Sequence, residues 1–167
     1  MRAALLLIAA LSVVALPAKA SAQQYYIEFR ARTGGILGHA YMTYGRLDSR
    51  GRPVDRHYAG LYPNDNYEDA LMTFGPLVVA PAFIGSEAKD QATPPSAVYR
   101  RPLNAQEYAH LLWVLRVMRS QKPQWNLVFH SCNDFVGEIA RELGLVIPLS
   151  WGSPTVFIRT LRAMNER

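Results

Sequence analysis

The chain of 167 residues is half hydrophobic and 19% charged, which is enough apolar material to bury the core of one ordinary domain. Its formal charge of +5 comes from arginines scattered along the chain (Arg30, Arg46, Arg56, Arg100) rather than gathered in a run, which speaks against nucleic acid as a partner. The single cysteine, Cys132, excludes an internal disulfide framework. It leaves a bridge between two copies, a buried inert thiol or a reactive one.

Residues 1–22 read as a signal peptide, with Arg2 as the positive n-region and Ala3 to Leu16 as the apolar h-region. Ala18 to Ala20 or Ala20 to Ala22 offers the small-residue cleavage site. The apolar run is short and alanine-rich for a membrane span, and no other stretch is long enough. The expectation is a periplasmic or secreted protein, one domain over 23–167, with no integral membrane span once the leader is gone. Losing Arg2 and Lys19 removes two of the five net positive charges.

In the mature chain, Tyr25 to Arg32 alternates Ile27, Phe29 and Ala31 with Tyr26, Glu28, Arg30 and Arg32, which predicts a strand with one buried face. Gly34-Gly35 ends it. A second strand runs from Leu37 to Tyr44, with Gly38 before His39 marking a close approach of another backbone or of substrate. After a turn at Asp48 to Pro53, Val54 to Leu61 gives a third strand carrying His57 and Tyr58, antiparallel to the second. Tyr62 to Pro95 reads as a long loop with a turn at Pro63 to Asn66 and a short helix over Tyr67 to Phe74. Such a loop is expected to be a lid or binding wall.

Ala97 to Arg101 predicts another strand. Asn104 and Glu107 form a capping box that opens a helix with Tyr108, Leu111, Leu112, Leu115 and Met118 on one face. Trp113, Val114 and Val117 widen that face, so the helix is expected to pack on two sides until Gln121 to Pro123 end it. Trp125, Leu127 and Phe129 alternate with Asn126, Val128 and His130 as a strand running into the next helix. That helix has Phe135, Val136, Ile139, Ala140 and Leu143 at helical spacing and Gly144 as its left-handed cap. Ser153-Pro154 opens a last helix to about Met164. Segregated hairpins and helices make the fold class α+β, an antiparallel sheet packed on helices.

Cys132 carries the chemistry. Ser131, with Asp134 three residues on, has the form of an N-cap, which puts the cysteine in the first helical turn. There the exposed N–H groups and the helix dipole favour a thiolate. A nucleophile of this kind needs a base, and histidine is the usual one. His110 reads as a surface residue, and His130 precedes the cysteine on a turn of unpredictable direction. His39 and His57 sit on neighbouring strands that a sheet can present to a helix N-terminus. A metal site from His39, His57 and Cys132 matches no standard spacing and lacks a fourth ligand. Neither a metal nor a cofactor is expected.

The Gly38-His39 strand placed well before Ser131-Cys132-Asn133-Asp134-Phe135-Val136 at a helix start resembles the circularly permuted papain-like thiol enzymes. These include the NlpC-type cell-wall peptidases, the lecithin:retinol acyltransferase-like proteins and the PPPDE-like peptidases. The resemblance covers roughly Tyr25 to Leu145 and implies a permuted papain-like architecture. It implies Cys132 as nucleophile, His39 as base and His57 as the nearest match to the residue that orients the base. Gly38, Tyr41, Ser131 and Asn133 are then the expected substrate-binding residues. The implied reaction is acyl transfer, with His39 as imidazolium lowering the thiol's pKa and the Cys132 N–H donating to the oxyanion. An envelope peptide, glycopeptide or lipid is the expected substrate. Leu77 to Ile84 would form an acyl-chain wall in the lipid case, or simply core. A non-catalytic protein that holds a peptide or glycan in the same groove is the reading from another class.

Overall fold

The computed structural model of the protein describes residues 24–34, 38–64 and 75–166. The expected leader, the glycine pair's second member and the expected helix over Tyr67 to Phe74 lie outside the described residues. The alternation along the first strand produces β1 (Gln24–Arg32), which pairs antiparallel with β2 (His39–Leu47). β3 (His57–Pro63) pairs with β2 in the expected hairpin sense, and β4 (Ala80–Gly85) pairs with β3. β5 (Ala97–Leu103) lies on the other edge of β1, and the two-residue β6 (Gln124–Trp125) on the edge of β4. All neighbours in the order β5-β1-β2-β3-β4-β6 are antiparallel, a six-stranded sheet.

Among the described residues there are four α-helices: α1 (Ala88–Ala92), α2 (Ala105–Ser120), α3 (Cys132–Glu142) and α4 (Pro154–Asn165). The fold class is α+β, as the segregation of patterns predicts. The core lies between one face of the sheet and the longer helices. Ile27, Phe29 and Ala31 of β1 stand opposite Tyr44, Met42 and Ala40 of β2 and bury against Leu111, Leu115, Val136, Ile139, Ile158 and Leu161.

The helix ends follow their sequence signals. Asn104 and Glu107 form the capping box of α2, and Ser131 and Asp134 that of α3. Ser153 caps α4, with Pro154 at its start. Gly144 (φ +76°) follows α3. The Leu145 N–H donates to the Ala140 carbonyl and the Gly144 N–H to that of Arg141, the paired bonds of a Schellman motif.

Four expectations are corrected. β1 is buried on both faces, because its polar side is filled by ion pairs: Glu28 with Arg30 and Arg100, and Arg32 with Asp90 at 2.6 Å. The chain after residue 75 is not a loose loop, since β4 and α1 take up much of it. α1 is held on the sheet through Asp90, which also accepts from the Tyr62 hydroxyl, while the Asp90 carbonyl accepts from Tyr41. α2 packs on one side only, leaving Trp113 55% exposed. Finally, the strand expected over Trp125 to His130 stops at Trp125, the last residue of β6. The Asn126 side chain accepts from the Val128 and Phe129 N–H groups and folds the segment into a turn closed by paired backbone bonds between Asn126 and His130.

Candidate functional site

The start of α3 is fixed by its cap. Ser131 Oγ accepts from the Asp134 N–H, and the Asp134 carboxylate accepts from the Ser131 N–H at 2.8 Å and from its hydroxyl at 2.7 Å. The Phe135 N–H is taken by the Ser131 carbonyl. Of the N–H groups that open the helix, this leaves those of Cys132 and Asn133 outside the cap. Cys132 is the first helical residue and half-buried. Burial pushes its thiol above the usual range, against the backbone N–H groups of Ala40, Asn133 and Cys132 itself, which favour the thiolate, while Asp134 adds to the rise.

His39 enters from the other direction. Gly38 precedes it at φ +74°, and a Cβ there would lie 2.7 Å from the Arg32 carbonyl oxygen. The close approach read from the sequence is therefore to the protein's own backbone, and only glycine fits it. His39 stands opposite Arg32 across the β1–β2 ladder, 7% exposed. Its ring lies 4.5 Å from that of Tyr62 and 6.1 Å from that of Tyr41, centroid to centroid. Nε2 is buried without a hydrogen-bond partner. Burial, with the nearby Arg32 guanidinium second, pushes the imidazole down to about 3. His39 is therefore neutral at physiological pH, and the expected imidazolium is not the resting state.

Cys132 and His39 line one cavity of about 750 Å³, together with Gly38, Ser131 and Asn133. Strand alternation puts the His39 side chain on the polar face of the sheet, with Arg32 and Tyr41. The thiol contacts the Ala40 amide on that strand. Among the described residues no hydrogen bond joins the imidazole to the thiol. Leu127, Trp125 and Trp151 supply apolar wall, while Arg32, Glu87 and Lys89 supply charge.

The remaining candidates fall in different places. Tyr41 is fully buried behind His39 and bonded to α1, outside the cavity lining. Asn133 is 3% exposed, and its Nδ2 donates to the carbonyls of Ser150 (2.8 Å) and Gly152 (3.2 Å). It therefore holds the loop carrying Trp151. His57 is not brought to the site. It is exposed and pairs with Tyr44, five residues along β2 from His39 and so about 16 Å away at strand rise. The odd offset also turns it to the opposite face of the sheet. His110 is on the surface as expected, 2.9 Å from Glu142.

Sequence reasoning missed Arg32, Tyr62, Asp90 and Trp151. The available signal was weak: an aspartate in a short run before Pro94 gives no sign that it will be buried under a sheet. Comparison with protein-family models, curated proteins and solved structures finds no match to this chain.

Proposed function

We propose that the protein is an exported thiol hydrolase of permuted papain-like architecture, cleaving an amide (or ester) bond in a peptide or glycopeptide of the cell envelope. The observation that carries this reading is the convergence of Cys132 and His39 on one cavity. The sulfur sits at a capped helix start, and the imidazole is buried with an unpaired nitrogen. The chain order supports the permuted arrangement, with the histidine on an early strand and the cysteine on a later helix packed against it. The leader expected over residues 1–22 favours a periplasmic or secreted location.

In the reaction, His39 takes the thiol proton as the sulfur bonds to the substrate carbonyl carbon, and the carbonyl electron pair moves onto oxygen. The N–H groups of Cys132 and Asn133, outside the cap, are the donors available to that oxyanion. The tetrahedral centre collapses, the C–N bond breaks, and the amine leaves with the proton from His39. Water, deprotonated by His39, then hydrolyses the thioester and restores the thiol. Because thiol and imidazole are both neutral at rest, proton transfer accompanies attack rather than preceding it.

The test is amine release from peptidoglycan fragments. Wild type is expected to release amine and Cys132→Ala to release none, with unchanged circular dichroism; equal release by the variant sinks the proposal. A second reading, a non-catalytic peptide or glycan binder using the same cavity, draws on the burial that keeps both groups neutral. Iodoacetamide labelling separates the two. A thiol alkylated at neutral pH in wild type and not in His39→Asn supports the hydrolase, and a thiol unreactive in both supports the binder.

A further inference from the structure

Beyond the Schellman turn that ends α3, residues 146–152 cross to α4 and leave large apolar side chains in water. Leu149 is 86% exposed, Trp151 78%, Val156 58% and Val146 57%. They surround a groove of about 560 Å³ between this loop and α4, whose walls include Ile147, Pro148, Val156 and Met164. Val156, Thr160 and Met164 recur every four residues and form one stripe of the helix. A contiguous apolar surface of this kind marks an interaction site.

Two features decide the partner. The first is charge: from Leu143 to Asn165 there is no carboxylate and there are two arginines, Arg159 and Arg162. Arg162 pairs with Glu166, whereas Arg159 is exposed and, among the described residues, donates to the Ser96 carbonyl without an ion pair, so the face is apolar with a positive flank. The second is continuity. Trp151 lines both this groove and the Cys132 cavity, and Asn133 grips the carbonyls on either side of it. The exposed face is thus a fixed rim of the cavity mouth. A twofold pairing of two copies through it would bring the arginines together and seal the cavity. A negatively charged interface with an apolar interior meets neither objection, and tryptophan is suited to such a boundary.

We propose that this face seats the protein on the surface of an anionic lipid bilayer, with the cavity mouth beside it. The docking is independent of the thiol chemistry. The experiment is co-sedimentation of the full chain with vesicles of phosphatidylcholine, with and without phosphatidylglycerol. Wild type is expected to sediment with the phosphatidylglycerol vesicles and less with phosphatidylcholine alone. Leu149→Ser combined with Trp151→Ser is expected to weaken binding at least about tenfold. Both side chains are more than three-quarters exposed, so the fold tolerates the change. Cys132→Ala is expected to bind as wild type does, whatever becomes of hydrolysis. Wild type left in the supernatant, or a double variant that binds equally, overturns the proposal. So does a wild-type dimer that the double variant dissolves, which would give the face to a second copy.

Discussion

His39 shows how far burial shapes a single residue. Its ordinary value is 6.5, and the folded chain holds it at about 3. Between those values the unfolded chain binds a proton that the folded chain refuses, so acid favours unfolding. The stability that neutral His39 retains above pH 6.5 is lost as pH falls towards 3, at about 1.4 kcal/mol per unit. Between pH 6.5 and 5 the His39 contribution falls steadily with pH. Urea midpoints measured across that window are expected to fall more steeply with pH in wild type than in His39→Asn. A flat wild-type profile would mean that the ring reaches water. Gly38 acts at the same scale: the side chain it lacks would meet the Arg32 carbonyl, and that absence sets the entry of His39 into β2.

At the scale of elements, α1 is the instructive case. Five residues form no stable helix in water. Asp90 holds this one in place, taking Arg32 Nε at 2.6 Å and the Tyr62 hydroxyl while buried to 1% exposure. Burial raises the Asp90 carboxyl and Arg32 opposes the rise. Removing one partner leaves the other charge in the interior, so Asp90→Ala is expected to cost about 3–5 kcal/mol. Glu87, 3.4 Å from Arg32, puts the loss towards the lower figure. Denaturant unfolding measures it, and a loss under about 1 kcal/mol would show that α1 is held by other contacts. Because the Tyr62 ring lies 4.5 Å from that of His39, the same change is expected to loosen His39 before it unfolds the sheet.

For the whole molecule, the sheet order places β1 and β2 inside and β5 and the two-residue β6 at the edges. β1 is paired along both edges, with β2 and β5, and is covered on both faces. The candidate site lies where β2 begins and α3 is capped, so it is built on the interior strands rather than on the edges. Amide hydrogen exchange is expected to reach β1 and β2 only through global unfolding, and to reach α1 and residues 126–130 by local opening. Equal protection throughout would contradict that gradient. The exposed rim at Leu149 and Trp151 stands at the mouth of this rigid part, held to α3 by Asn133.

What the sequence determined by itself is the local architecture. The caps at Ser131, Asn104 and Ser153 and the Gly144 turn depend on residues three or four apart. The same holds for the apolar stripe of α3, whose physics is complete within one element. The β2–β3 hairpin followed from patterns separated by one turn. Only the tertiary structure decided the rest. It turned His57 away from His39, because register along a ladder is not written in either strand alone. It put Asp90 and Arg32 together from 58 residues apart. It bent residues 126–130 around the Asn126 side chain where alternation read as a strand. And it kept His39 and Cys132 neutral, because their charge states depend on how much water the assembled sheet and helices exclude.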